Sequence, residues 1–325
     1  MSMGTERPRG GLPDARAPES TERPRGGLPD ARAPASTERP RGGLPDARAP
    51  ESTEAPLGEA TVTQRLLAAA PSRGEHRALV GGPADPACGY AQLAATVRAA
   101  AAGLAWRGLQ PRDVIGVYVP DAACYVLAAH AIRAAGGVPT PVAAGLTVPE
   151  IAGQLADCGA RMLLTAPPLA TSALAAADRS WVRQVISFGE APGAVQFDAL
   201  MGMGTLQPAA GRPHDPTLLP YTRTPDGQLG PAPVSHQDMS VLLGRLETEA
   251  RVCEKDVVLA APPVGDGRAY TALLDHALLC GATVVAAAAD ELATAADVYQ
   301  GTAMIAAGSV AVGAGERLRV FAVAS

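Results

Sequence analysis

From about Ala60 onward the apolar residues switch repeatedly between two spacings. Leu93, Val97, Ala101 and Leu104 recur at the interval of one helix face, and an unbroken apolar run at 114–119 follows after Gln110-Pro111-Arg112-Asp113. This predicts a helix feeding a strand. A second helix is expected over about 122–135, stopped by Gly136-Gly137, with a strand at 138–142 beyond it. Thr147-Val148-Pro149-Glu150 has the spacing of a capping box and predicts a helix running to Asp157, followed by a strand at 161–165. Further strands are expected at 182–188, 217–221, 256–260 and 282–286, with helices at 237–250 and 270–279. Strands separated by helices of about ten residues or more need parallel crossovers, so the fold class is α/β, parallel sheets flanked by helices. Such sheets bind ligands beyond the carboxyl ends of their strands, which puts the loop after Tyr221 first among candidate sites.

The opening of the chain follows a different rule. TERPRGGLPDARAPES begins at Thr5 and returns at Thr21, with Ala35 in place of glutamate, and again at Thr37, a period of 16 residues. Each copy holds three prolines, two adjacent glycines and one leucine, too little apolar surface to offset the entropy of ordering it. Residues 1–58 are therefore expected to be a disordered repeat tail, followed by a first α/β subdomain over 59–215 and a second over 216–325.

Charge and cysteine content narrow the partners. With 27 basic and 32 acidic side chains the net charge is −5, so no general attraction to nucleic acid or anionic lipid is expected. Five scattered cysteines without a CxxC pair suit reduced thiols, and no apolar stretch is long enough for a membrane span; a cytoplasmic protein is expected. Lys255 is the only lysine, so chemistry that needs a lysine has one candidate.

The segment YAQLAATVRAAAAGLAWRGLQPRDVIGVYVPDAACYVLAAHAIRAAGGVPTPV, followed by QLADCGARMLL, resembles the N-terminal region of the AMP-forming adenylating enzymes, among them acyl-CoA and aryl-CoA ligases. The resemblance runs from about Ala60 to about Val285. It implies the fold of the large N-terminal domain of these enzymes, and an activity in which a carboxylate attacks ATP to give an acyl-adenylate that a thiol then captures. ATP and Mg2+ are the cofactors it implies, if nucleotide binding is retained. In the family a phosphate loop close to YSSGTTGLPKGV follows a strand, and a Thr-His pair comes a few residues later. Here the equivalent stretch is Tyr221 to Ala232, with Ser235-His236 downstream. The resemblance thus assigns Thr222, Arg223, Thr224, Gly227 and His236 to the nucleotide site. Thr224 stands at the first family glycine, Asp226 at a threonine, Gly230 at the lysine and Pro231 at the glycine after it; Gly227 keeps a loop glycine.

A loop that cradles polyphosphate directs backbone N–H groups at the anion, with glycines for close approach and a cation to balance charge. Pro225, Pro231 and Pro233 each remove a donor, and Asp226 adds a like charge. Val264 to Asp266 likewise replace the aromatic and histidine that the resemblance places in an acyl pocket. Lys255 falls in the connection before the 256–260 strand, away from the family's adenylation lysine. No catalytic residue is assigned. The expectation is an acyl-CoA synthetase-like chain that is inactive alone and serves as a binding or regulatory partner. The alternative is one half of a split adenylating enzyme, completed by a protein partner that supplies the C-terminal domain. Two weaker signals have simpler explanations. His236 with Asp238 is better read as helix capping than as a metal pair, and the Gly313–Gly315 turn leaves too little sequence after it for a dinucleotide fold.

Overall fold

The computed structural model describes residues 60–81, 87–262, 266–307 and 318–323. The tandem repeats, Val264 and the Gly313–Gly315 turn lie outside the described residues. Fifteen strands and eight α-helices are present among those described. β1 (Arg77–Val80) and β2 (Ala87–Gly89) come first, and β3 (Val114–Tyr118), β4 (Val138–Pro141), β5 (Met162–Thr165), β6 (Gln184–Ser187) and β7 (Val195–Gln196) follow. The last five form one parallel sheet in the order β4-β3-β5-β6-β7. The second sheet uses β12 (Val257–Ala260), β13 (Thr283–Ala286), β14 (Ala303–Ala307) and β15 (Arg319–Val323), in the order β15-β14-β12-β13-β1-β2. Within it only the β1–β2 pair is antiparallel. Two strands from early in the chain thus complete a sheet built mainly by its later part.

Side-chain alternation along these strands builds the layers. In the first sheet Val114, Tyr118, Leu163 and Val185 face outward onto α4 (Val148–Asp157) and α5 (Ala170–Ala177). Ile115, Val117, Leu164 and Ile186 face inward. In the second sheet Leu259, Val285 and Met304 face outward onto α8 (Leu292–Tyr299), while Val258, Ala260, Val284 and Ile305 join the same inner core as the first sheet. Between the sheets lie α2 (Tyr90–Trp106), α3 (Ala122–Ala134) and α7 (Gly267–Leu279), and α1 (Val62–Arg73) packs against all three. The result is helix, sheet, helix, sheet, helix. α3 has no solvent face: every residue of it except Leu127 is buried. Its six alanines let neighbouring backbones approach closely. α2 achieves the same through Gly103, which lies directly against the Leu200 backbone with no room for a Cβ. No helix among the described residues is long and apolar enough to cross a membrane.

The middle layer nevertheless contains charge. Arg133 on α3 donates from Nη1 to Asp275 Oδ2 on α7 at 2.8 Å and from Nε to the Thr217 carbonyl at 3.0 Å. His130, one turn earlier, places Nε2 3.3 Å from Asp275 Oδ1 and Nδ1 3.0 Å from the Thr63 hydroxyl of α1. All four side chains are buried. Burial pushes the Asp275 carboxyl up, but the Arg133 guanidinium and then His130 outweigh it and hold the group below its ordinary value.

Removing one partner of a buried pair strands the other charge, so Asp275→Ala is expected to cost about 3–5 kcal/mol in urea unfolding. Arg133→Met combined with Asp275→Leu should recover most of that loss. Equal destabilisation by the single and the double variant would rule out an uncompensated charge as the cause. Because the Asp275 carboxyl titrates low in the folded chain, its contribution is present above its unfolded value of 3.8 and is lost as pH falls below it.

Candidate functional site

Residues 216–235 fold back on themselves as one irregular β-hairpin outside the two large sheets. β8 (Pro216–Leu218) pairs with β11 (Val234–Ser235), and β9 (Tyr221–Arg223) pairs with β10 (Leu229–Pro231), both antiparallel. The pattern of residues 217–221 predicts one strand; the structure breaks it at Leu219-Pro220. Leu219 N–H donates to Pro139 O within β4, and Pro220, which has no N–H, accepts from Ala232 N–H at 2.8 Å. The candidate loop is therefore the tip of a hairpin, and Thr222 to Gln228 are all exposed.

The tip satisfies its own backbone. Gly227 N–H donates to Thr224 O at 2.8 Å, the i to i+3 bond of a β-turn, and Thr224 N–H donates to Gln228 O at 2.8 Å. Thr224 Oγ1 donates to the same Gln228 carbonyl at 3.1 Å. Gly227 has φ +80°, the left-handed conformation that follows a type I turn in a short hairpin. Thr-Pro-Asp-Gly is the composition such a turn favours, proline after the first residue and glycine at the left-handed position. The sequence carried this signal, and likeness to a phosphate loop masked it.

Arg223 is also committed locally. Nη1 donates to Gly227 O and Nη2 to Glu150 Oε1, each at 2.9 Å. Glu150 is the acidic residue of the α4 capping box, accepting from Thr147 N–H at 2.8 Å and Thr147 Oγ1 at 2.7 Å, as its spacing predicts. The Thr147 amide and then the Arg223 guanidinium hold the Glu150 carboxyl down at about 2. At the base of the hairpin Tyr221 OH donates to Asp157 Oδ2 at 2.5 Å; burial, and then that carboxylate, raise the phenol above its ordinary value.

His236 stands apart from the tip, as the first residue of α6 (His236–Glu249). Ser235 caps this helix reciprocally with Asp238: Asp238 N–H donates to Ser235 Oγ, and Ser235 N–H to Asp238 Oδ2, both at 3.1 Å. Asp238 is a capping residue, and no group of three or more metal-ligating side chains occurs among the described residues. Burial, then Arg133, keep the His236 ring below its ordinary value, and Nδ1 is buried with no hydrogen-bond partner among the described residues. Gly211 lies so close to the imidazole that any Cβ would collide with the ring. Thr222, Arg223, Thr224 and Gly227 thus share the hairpin tip, while His236 lies past the hairpin's base, half-buried at the start of α6.

Beside the hairpin is a cleft of about 570 Å³, bounded by Pro220, Thr222 and Ala232 to Val234, by α6, and by the start of α7. Arg245 and Arg268 are its cations and Asp238 and Asp266 its carboxylates. Asp266 caps α7, accepting from Arg268 N–H at 2.9 Å, and only Thr222 of the five candidate residues lines the space. Arg245, Arg268 and the Arg133–Asp275 pair escaped sequence reasoning because nothing local links them to a site.

The layers match those of solved acyl-adenylate-forming proteins. A long-chain-fatty-acid-CoA ligase, FadD1 from Archaeoglobus fulgidus, superposes with a TM-score of 0.68 at 19% identity, covering 76% of this chain and 51% of that one. Apo MbtA from Mycobacterium smegmatis gives a TM-score of 0.69 at 25% identity over 76% of this chain and 48% of that one. The described fold is that of the N-terminal part of these ligases. Residues 66–313 match the AMP-binding enzyme family, and the chain belongs to it. A curated relative, feruloyl-CoA synthase from Amycolatopsis sp, is 28% identical over 196 residues, 60% of this chain and 38% of the relative. The chain spans under half the length of the curated relatives it matches and about half that of the first structural neighbours.

Enzymes of this family use ATP and Mg2+, yet the hairpin tip does not fit a triphosphate. The Thr224 and Gly227 amides are spent inside the turn, Pro225 and Pro231 have none, and Asp226 is an exposed carboxylate. The nearest cation, Arg223, is paired with Glu150.

Arg223→Ala is expected to raise the Glu150 carboxyl from about 2 toward, without reaching, its ordinary 4.5, because the Thr147 amide remains. A carboxyl-carbon NMR titration measures this, and an unchanged value would exclude the tether. Since Glu150 titrates low when folded, the tether holds above about pH 4.5 and is lost as pH falls toward 2.

Proposed function

We propose that this chain keeps the scaffold of an adenylate-forming acid–thiol ligase without its polyphosphate chemistry, and acts as a binding or regulatory partner rather than as an enzyme alone. The self-satisfied turn carries the reading. To present its amides to a phosphate the tip must first break the Thr224–Gly227 and Thr224–Gln228 bonds. A phosphate charge about 4 Å from the Asp226 carboxylate would add repulsion of roughly 1 kcal/mol in water and about 4 kcal/mol at an effective dielectric of 20. No lysine stands at position 230 to offset it. The chemistry that remains is recognition, through the cleft and the hairpin surface.

A second reading, one half of a split ATP-dependent carboxylate adenylating enzyme completed by a partner chain, is favoured by the cleft. Its two arginines lie beside the hairpin, and among the described residues Arg245 makes no ion pair. In that case a partner supplies the missing contacts to the nucleotide.

The purified full chain is expected to show no ATP–pyrophosphate exchange above background with a panel of aryl and fatty acids, and no calorimetric binding of Mg·ATP at micromolar concentration. Micromolar Mg·ATP binding that Asp226→Lys strengthens would overturn the first reading. Exchange that appears only on adding a second polypeptide would establish the split enzyme.

A further inference from the structure

The amino ends of the strands in the five-stranded sheet carry a surface that the nucleotide hairpin does not use. Arg112 lies two residues before β3, and Arg161 and Arg183 immediately before β5 and β6. These three strands are adjacent, with Ile115 opposite Met162 and Met162 opposite Gln184. The arginines therefore succeed one another along the sheet edge at roughly the 4.8 Å strand spacing. Arg183 N–H donates to Arg161 O at 2.8 Å, which fixes two of them side by side. Arg107, just beyond α2, reaches the same edge: Nη1 is 3.5 Å from Gln184 Oε1, and Gln184 Nε2 donates to Arg107 O at 3.4 Å. Arg179 follows α5 and lies four residues before Arg183.

Both tryptophans of the chain sit among these arginines. Trp106 precedes Arg107 and is 68% exposed; Trp181 lies between Arg179 and Arg183 and is 57% exposed. They are the most and third most exposed of the large apolar side chains among the described residues. Asp113, Asp157 and Asp178 are the carboxylates within four residues of these arginines in sequence. Asp113 accepts from Gln110 N–H and Asp157 from Tyr221 OH. Among the described residues none of the five arginines is ion-paired. On a chain of net charge −5, five guanidinium groups without an ion-pair partner among the described residues, around two exposed indoles, form a local exception that composition hides.

We infer that this edge docks on an anionic lipid bilayer, with the arginines on headgroup phosphates and carboxylates and the two indoles at headgroup depth. Indole suits that layer because one part of it is apolar and its N–H stays wet. Guanidinium groups supply the charge complementarity and bind phosphate through several donors. The arrangement fits nucleic acid less well, since Arg107 lies over the Trp106 ring, 5.9 Å from its centroid, and covers a face that base stacking would need. The association is peripheral and salt-sensitive.

The chain contains only these two tryptophans, so tryptophan emission excited at the red edge, where its tyrosines do not absorb, reports on this edge. The full chain is titrated with vesicles of phosphatidylcholine plus phosphatidylserine, with phosphatidylcholine vesicles, and with single-stranded oligonucleotide. A blue shift and co-flotation with the serine-containing vesicles only, reversed by raising salt, is the expected result. Arg161→Glu with Arg183→Glu, both exposed, should weaken binding about tenfold or more without changing the melting temperature. Trp106→Ser with Trp181→Ser, followed by flotation, should weaken it as well and serves if the charge reversals impair folding. Equal response to neutral vesicles, a response to oligonucleotide alone, or flotation unchanged in both variants would each overturn the inference. The last would place binding elsewhere, for instance on the arginines of the repeats.

Discussion

The contact between Arg133 and Asp275 sets the terms for the middle of this molecule. Two sheets that both turn apolar faces toward a shared helix layer leave α3 with no solvent face, so any polar group there must be answered inside the protein. Arg133, Asp275, His130 and Thr63 answer one another across three helices, and Arg133 reaches the Thr217 carbonyl at the root of the hairpin. A purely apolar seam of alanines could slide along itself, whereas this cluster has one register in which its charges meet. His236 feels the same guanidinium, so the buried end of the candidate site is tied electrostatically to the core.

The hairpin spends locally the backbone groups that a phosphate loop would hold open. Phosphate loops keep amide donors idle until an anion arrives. In this chain Thr224 and Gly227 have already found partners, and Arg223 is stretched between the turn and the cap of α4. Capping box, ion pair and turn form one continuous set of polar contacts. The Thr224 and Gly227 amides in it are satisfied by the protein itself.

Much of the fold was legible because its signals are local. Helical spacing at Leu93, Val97, Ala101 and Leu104, the Thr147–Glu150 cap and the Gly136-Gly137 stop each act within a turn or two of chain, and the elements they predict are present. What escaped depends on distant partners. β1 joins β13 across some two hundred residues, and Arg133 meets Asp275 at a separation of 142. Neither leaves a mark on neighbouring sequence. The hairpin is the opposite case. Pro225-Asp226-Gly227 announces a turn, but likeness to a phosphate loop competed with it, and Pro220 divided what apolar patterning joined into one strand. Within the candidate site, then, Thr222 to Gly227 share one hairpin tip, as adjacent residues must. What their backbone groups do was legible only from turn chemistry, and the arginines of the cleft were not legible at all.

A turn that keeps its hydrogen bonds to itself also insulates whatever replaces it. The residues from Thr224 to Gln228 are exposed, and past the Arg223–Glu150 contact nothing at the tip reaches the layered core. Loop tips of this kind accept foreign segments readily. Grafting a peptide tag or a short recognition sequence between Arg223 and Leu229 would display it on the β9–β10 pair, with the sheets beneath left unaware of the exchange.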